Sequence, residues 1–268
     1  MKQKKRPETT TPASSNTSGV QFEKYEWVEE IGKGSFGSVS KVKRRSDGRM
    51  LVWKELNYGK MSEKEKQMLV SEVNILRELN HPNIVRYYDR VIDRDHSKIF
   101  IVMEYCEGGD ISTMIRTSRK EKTHLPEDMV WSILSQVLQA LHACHTRKEG
   151  KILHRDLKPG NIFLDAHYNV KLGDFGLSRV MGNESVFAYT HVGTPYYMSP
   201  EQINDQKYNE KSDIWSLGCI IYEVAALRAP FEATTHYQLA MKIRAGKLDR
   251  IPAHYSDELM HFISAMLL

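Results

Sequence analysis

Hydrophobic and polar positions alternate over short runs from residue 22 to about residue 103, a pattern that is typical of β-strands. Ser46-Asp47-Gly48 interrupts the pattern and predicts a hairpin turn. Two further strands are predicted near 84–92 and 98–103. This part of the chain therefore reads as a strand-rich unit.

One segment of that unit has helical periodicity instead. Apolar side chains recur every three or four residues over 62–79, and Ser62 with Glu65 forms the spacing of a capping box at its start. The segment predicts an amphipathic helix with one buried face. The apolar positions are Leu69, Val73, Leu76 and Leu79.

The chain becomes mainly helical after about residue 110. Two apolar runs in this part, 162–164 and 170–172, are too short for helices and read as short strands. The pattern predicts two lobes, joined near Glu104 to Glu107. The predicted helices are 110–118, 126–146, 211–227 and 236–245.

Residues 1–21 differ from the rest in composition. They are rich in Thr, Ser, Pro and Lys, and we expect a disordered, solvated tail rather than a targeting or binding arm. The whole chain has a net charge of +4, and the tail supplies most of it through four basic side chains and one acidic one. The nearly neutral remainder argues against a domain built to bind nucleic acid.

The three cysteines and the longest apolar stretch indicate in which kind of cellular environment the protein occurs. Cys106, Cys144 and Cys219 are an odd number without metal-ligand spacing, which favours a reducing environment over a disulfide framework. The stretch 219–227 contains Glu223 and is too short to span a bilayer. We expect a soluble intracellular protein that binds neither membrane nor nucleic acid.

The first chemical motif is the glycine pattern Gly32, Gly34 and Gly37. A dinucleotide-binding fold needs a helix after such a motif, but residues 38–42 are strand-like, so an oxidoreductase of that kind is not favoured. A glycine hairpin between two strands lets backbone amides approach phosphate groups closely. A merely flexible turn remains an alternative on this motif alone.

Lys54 is the only charged residue in the apolar run 50–54. Such a lysine is usually an edge residue whose stem covers apolar surface. It could instead bind phosphate, and Glu72 on the predicted helix could then pair with it.

Two further motifs allow the glycine hairpin and Lys54 to be interpreted together. The run from His154 to Asn161 reads H-R-D-L-K-P-G-N, and Asp174-Phe175-Gly176 follows it. Together with the glycine hairpin and the strand lysine, these are the ordered motifs of protein kinases. The stretches 52–90, 101–110, 170–179 and 192–203 resemble the NIMA-related (never-in-mitosis) kinases.

The resemblance covers residues 22–268 and implies an α+β, bilobal protein-kinase fold. A small antiparallel β lobe with one helix, 22–105, would precede a larger, mainly helical lobe, 106–268. The family normally has two more helices at the end of that lobe, so we expect it to be truncated at its C-terminus. Glu201 should then lack its usual arginine partner, and Leu267 and Leu268 should be exposed.

The resemblance also implies an ATP site between the lobes. The glycine loop would cover ATP, Lys54 would contact its α- and β-phosphates, and Glu72 would hold Lys54. Hydrophobic residues would enclose adenine, and the hinge backbone would bind its edge. The implied ATP-binding residues are Ile31, Gly32, Lys33, Gly34, Ser35, Phe36, Gly37, Ser38, Val39, Val52, Lys54, Glu72, Met103, Glu104, Cys106 and Phe163.

For the reaction itself, the resemblance implies that Asp156 accepts the proton of the substrate hydroxyl. Lys158 and Thr194 would lie at the transferring phosphate, as in serine/threonine kinases. Asn161 and Asp174 would bind Mg²⁺ through oxygen. Asp213 would anchor the catalytic loop.

Regulation is expected in the segment 174–201. Thr190 and Thr194 are candidate phosphorylation sites, and a phosphate on Thr190 could pair with Arg155. The alternative is that these are only exposed hydroxyls of a surface loop. We expect protein substrates bearing Ser or Thr, a transient homodimer for autophosphorylation in trans, and a role in mitosis at the centrosome, in the cytoplasm and in the nucleus.

A catalytically weak, pseudokinase-like scaffold is the alternative function, suggested by the missing helices. Such proteins usually lack at least one essential residue. This chain retains Lys54, Glu72, Asp156, Asn161 and Asp174. The sequence therefore favours an active serine/threonine kinase.

Overall fold

A five-stranded antiparallel sheet forms the first part of the structure. The computed structural model describes residues 22–34, 37–59, 61–174 and 196–267. The strand order is β1-β2-β3-β5-β4, so β3 lies at the centre and pairs with β5. The strands are β1 (Tyr25–Gly34), β2 (Gly37–Arg44), β3 (Met50–Asn57), β4 (Tyr87–Asp93) and β5 (Lys98–Glu104).

Helix α1 (Glu63–Glu78) begins at the predicted capping box. The Glu65 amide donates to the Ser62 hydroxyl at 3.3 Å, and the Ser62 amide donates to the Glu65 carboxylate at 2.6 Å. These bonds satisfy amides that the first helical turn would leave without partners. The buried face of α1 joins one hydrophobic cluster with the sheet residues Leu56, Ile99 and Ile101, and consists of Leu69, Val73 and Leu76.

The second part is mainly helical, as predicted. A short hairpin of β6 (Ile162–Leu164) and β7 (Val170–Leu172) lies between its helices and confirms the two short strands. The α+β class with a small antiparallel sheet and a larger helical part is thus confirmed. The helices are α2 (Ile111–Glu121), α3 (Glu127–His145), α4 (Pro200–Ile203), α5 (Glu210–Ala226), α6 (His236–Ala245) and α7 (Asp257–Met266).

Helix α5 runs through the centre of the helical part and is buried on nearly all sides, as its long apolar run requires. It carries Asp213, which is fully buried. Helix α5 packs against both α3 and α7. No helix in the described ranges is long and apolar enough to cross a membrane.

Two features near the end of the chain differ from expectation. Sequence reasoning missed α7, although Ser256 caps it and two acidic residues follow in its first turn. Leu267 was expected to be exposed, but only 2% of it is accessible, because its side chain lies over Gly218 of α5. That expectation was wrong because the packing of α7 on α5 could not be read from local periodicity.

Candidate active site

A cavity of about 360 Å³ lies between the sheet and the helical part. Many of the implied ATP-binding residues line it, together with Asp174. Sequence reasoning missed six lining residues: Val85, Tyr105, Glu107, Gly109, Asp110 and Gly173. The predicted residues that line it are Ile31, Gly32, Val39, Val52, Lys54, Met103, Glu104, Cys106 and Phe163.

The glycine motif forms the hairpin between β1 and β2, with Gly34 opposite Gly37. Gly37 has a φ of 151°, and a Cβ built on it would lie 2.0 Å from the carbonyl oxygen of Glu55. Only glycine fits this approach of the hairpin to β3. Lys33, Gly34, Gly37 and Ser38 belong to the hairpin but not to the cavity lining, and Ser35 and Phe36 lie outside the described residues.

The hinge segment after β5 is fixed by backbone hydrogen bonds. The Glu104 amide donates to the Arg86 carbonyl at 2.8 Å, and the Gly108 amide donates to the Leu164 carbonyl at 2.9 Å. Burial raises the pKa of the Cys106 thiol to about 12, and the Glu104 carboxylate adds to the shift. The thiol is therefore neutral at physiological pH and serves as a small wall residue.

Lys54 and Asp174 meet at the inner end of the cavity. The Lys54 Nζ lies 2.8 Å from Oδ1 of Asp174, a pair of residues 120 positions apart. The sequence had suggested Glu72 as the partner of Lys54. Glu72 lies on α1, but its side chain is outside the described part of the structure, so that pairing stays a prediction.

The loop before β6 brings three predicted residues together. Lys158 Nζ lies 2.7 Å from Oδ2 of Asp156. The amide nitrogen of Asn161 donates to the Asp156 carbonyl at 2.8 Å and to its Oδ2 at 3.1 Å. The Asp156 carboxylate is thus oriented by two donors, while its side chain keeps 38% of its surface accessible. It can still accept a proton from an incoming hydroxyl.

Asp213 of α5 binds the backbone at the start of this loop. Its carboxylate accepts hydrogen bonds from the amides of His154 at 3.0 Å and Arg155 at 3.1 Å. It also lies 2.7 Å from Nε2 of His145 and accepts a short bond from the Tyr208 hydroxyl. Burial acts to raise the pKa of Asp213, but the hydrogen bonds from His145, Tyr208 and the His154 amide outweigh burial and lower the pKa.

His154 links the loop to the segment of Asp174. Its Nε2 lies 2.8 Å from the Gly173 carbonyl, and its Nδ1 lies 3.4 Å from the Asp156 amide. Burial lowers the pKa of His154, so the ring is neutral at physiological pH and carries its proton on Nε2.

Arg155 and Asp174 both have left-handed backbone, with φ of 69° and 55°. Such strain costs about 1–3 kcal/mol per residue and persists where surrounding contacts enforce it.

Gly173 is a close-packed point in the cavity floor. A Cβ on Gly173 would lie 2.7 Å from the Phe163 ring and 3.1 Å from Val85. Gly173→Ala should therefore displace the ring, at an overpacking cost of about 1–3 kcal/mol. We expect weaker binding of an ATP analogue by calorimetry and a lower unfolding midpoint. Gly160→Ala is the matched control, because a Cβ there meets no atom within 4 Å, and equal affinities of the two variants would contradict the prediction.

The remaining candidates lie in the segment 175–195, which is outside the described residues. They are Thr190 and Thr194. Glu201, just beyond that segment, accepts a short hydrogen bond from the Ser212 hydroxyl at the start of α5. The structure therefore supplies a donor to Glu201 other than the arginine that the resemblance implies.

Comparisons with known proteins agree with this geometry. The family model described as "Protein kinase domain" matches residues 25–268. The chain is 58% identical over 246 residues to the probable serine/threonine-protein kinase nek2 of Dictyostelium discoideum, covering 92% of this chain and 59% of that protein. It is 59% identical over 247 residues to the serine/threonine-protein kinase Nek2 of Homo sapiens, covering 91% and 56%. It is 48% identical over 272 residues to the G2-specific protein kinase nimA of Emericella nidulans, covering 92% and 39%.

Proposed function

The chain belongs to the protein kinase family and, within it, to the NIMA-related kinases, and from this premise we propose that it transfers the γ-phosphate of ATP to serine and threonine hydroxyls of proteins. It spans between about two fifths and three fifths of the length of these three relatives. The family implies the use of ATP and a divalent metal. We also propose that the two lobes of the kinase domain divide between residues 105 and 106.

The cavity is the proposed ATP site. Val39 and Val52 would cover adenine from the sheet, and Phe163 would support it from the helical part. As the family resemblance implies, the backbone of Glu104 and Cys106 would bind the adenine edge. Backbone hydrogen bonds fix the hinge at both ends and so support this role. Lys54 at the inner end would neutralise charge on the α- and β-phosphates.

Asp174 and Asn161 offer oxygen donors that fit a hard divalent cation, for which we propose Mg²⁺. Asp174 offers a carboxylate, and Asn161 directs its amide nitrogen toward Asp156, which leaves its amide oxygen for a cation. Oxygen ligands of this kind suit Mg²⁺, which takes its other ligands from water and phosphate. When bound, the ion would neutralise the charge that develops on the phosphates.

In the proposed reaction, Asp156 orients the substrate hydroxyl and accepts its proton as the oxygen attacks the γ-phosphorus. The bond from the γ-phosphorus to the bridging oxygen of ADP breaks, and ADP leaves. Lys158, beside Asp156, supplies positive charge to the transferring group, and Thr194 would lie close to it. The observation that carries the proposal is the convergence of Asp156, Lys158 and Asn161 in one hydrogen-bonded loop.

The proposal extends to regulation and cellular role. Phosphorylation of Thr190 would create an anion that Arg155 can pair with, and autophosphorylation in trans would use a transient dimer. The name of the nimA relative describes a G2-specific kinase. A role in the cell-division cycle, at the centrosome and in the cytoplasm and nucleus, is proposed on that basis and on family resemblance.

The test is phosphate transfer from Mg-ATP to a generic protein substrate, followed by phosphoamino-acid analysis. We expect phosphoserine and phosphothreonine without phosphotyrosine. Mass spectrometry of 174–201 would show whether Thr190 or Thr194 is modified. An absence of transfer, despite stabilisation of the chain by ATP against thermal unfolding, would contradict the proposal and favour a non-catalytic scaffold.

A further inference from the structure

Glu104 of the hinge forms an ion pair that its predicted role does not require. Its Oε1 lies 2.9 Å from Nζ of Lys171 on β7. Its other carboxylate oxygen accepts a hydrogen bond from the Arg86 amide at 3.0 Å. One side chain therefore joins three segments: the start of β4, the hinge, and the β6–β7 hairpin of the helical part.

The position of Lys171 connects this pair to the cavity floor. Lys171 lies opposite Phe163 in the β6–β7 pairing, and cross-strand partners point to the same face of a sheet. Phe163 also lines the cavity. Lys171 also precedes Gly173 and Asp174 by only a few residues of the same strand and turn. The pair thus ties the hinge to the strand that leads to Asp174.

The pair is well shielded from water. The Lys171 and Glu104 side chains keep only 15% and 14% of their surfaces accessible, whereas most lysine and arginine ion pairs of the described residues include a partner that keeps more than a third. Exposed ion pairs contribute little to stability. Removing one partner of a shielded pair, in contrast, leaves the other partner as a buried charge without a counter-charge. Loss of Lys171 would leave the Glu104 carboxylate with the Arg86 amide alone and would favour its movement toward water.

We propose that Glu104 and Lys171 form a hinge latch, a pair of positioning residues that sets the hinge backbone at the distance from Phe163 that adenine requires. The latch acts on ATP affinity, because it holds both surfaces that would contact the base. It does not touch the Asp156 carboxylate and leaves the chemical step to the residues already described. The inference rests on the proposed function insofar as it takes ATP as the occupant of the cavity.

The central variant is Lys171→Met, which keeps an apolar stem beside Phe163 and removes the charge. We expect the KM for ATP to rise about three- to tenfold, the change that corresponds to one lost hydrogen bond of ordinary strength, with kcat changed by less than twofold. Lys171→Arg should restore the wild-type KM. Hydrogen exchange of peptides covering 103–108 should be faster in Lys171→Met and normal in Lys171→Arg.

Glu104→Gln separates the ion pair from the hydrogen bond, because an amide oxygen can still accept from the Arg86 amide. Combined with Lys171→Met, it removes the uncompensated charge, so the double variant should have a lower KM for ATP than Lys171→Met alone.

Lys98→Met is the matched control. It breaks a 2.6 Å pair with Glu55 that lies wholly within the sheet, and it should leave the KM for ATP unchanged.

The latch is overturned if Lys171→Met leaves both the KM for ATP and hinge exchange at wild-type values, or if the effects of the two single variants simply add. It is also overturned if Lys98→Met raises the KM equally, because the effect would then reflect general stability. Calorimetric measurement of the binding of a non-hydrolysable ATP analogue to the full chain distinguishes failure of the proposed kinase function from failure of the hinge latch. Failure of the wild-type chain to bind would contradict the proposed function, whereas equal binding by wild type and Lys171→Met would contradict only the latch.

Discussion

Asp156→Asn is expected to lower kcat by about 10²–10⁴-fold, the usual contribution of a positioned general base. Asparagine has nearly the same shape and can still accept hydrogen bonds from Lys158 and Asn161, so the loop should keep its conformation. It cannot take a proton from the substrate hydroxyl. Single-turnover phosphate transfer at saturating ATP would measure the loss, and calorimetry with an ATP analogue should give wild-type affinity.

Asp47→Asn is a suitable control for that measurement. Asp47 is also a partly exposed aspartate paired with a cation, since its Oδ2 lies close to Nη2 of Arg44 in the β2–β3 turn. It lies outside the cavity lining, so kcat should stay within twofold of wild type. A kcat for Asp156→Asn near that of the control would mean that the proton leaves by another route.

Much of this architecture follows from local sequence. The capping box of α1 and the short strands β6 and β7 are determined by neighbouring residues, and sequence reasoning found them. The glycine hairpin was also accessible, because Gly32, Gly34 and Gly37 stand between two strand-like runs of the sequence. The resemblance to protein kinases then implied one common site for Asp156, Asn161 and Asp174.

What sequence reasoning missed depends on contacts between distant segments. Gly173 is required by the Phe163 ring, and no local pattern marks that contact. The pairing of Lys54 with Asp174 and that of Glu104 with Lys171 join strands of the sheet or hinge to the helical part. Burial of Leu267 likewise depends on how α7 packs on α5. Each is fixed by tertiary packing, which overrides the local expectation.

The second large effect is expected at Asp213, where we predict that Asp213→Ala lowers the free energy of unfolding by about 3–5 kcal/mol, as when one partner of a buried charged network is removed. The substitution would leave the amides of His154 and Arg155 without their acceptor and His145 and Tyr208 without their shared partner. Arg155 would also lose a contact that enforces its left-handed backbone, so we expect kcat to fall as well. Urea unfolding followed by circular dichroism would measure the stability change.

The pH dependence of stability gives an independent check on the same carboxylate. Because the folded pKa of Asp213 lies below its unfolded value of 3.8, its contribution is fully present above about pH 4 and is lost as the pH falls through the folded pKa. Wild type should therefore lose more stability than Asp213→Ala between pH 5 and the acid limit of folding. The difference between their free energies of unfolding should become smaller over this range. Asp249→Asn, which breaks an exposed pair with Arg228, should follow the wild-type profile within about 0.5 kcal/mol. A constant gap between wild type and Asp213→Ala across this range would show that the carboxylate is not held ionised by the loop, and the anchoring role assigned to it would be wrong.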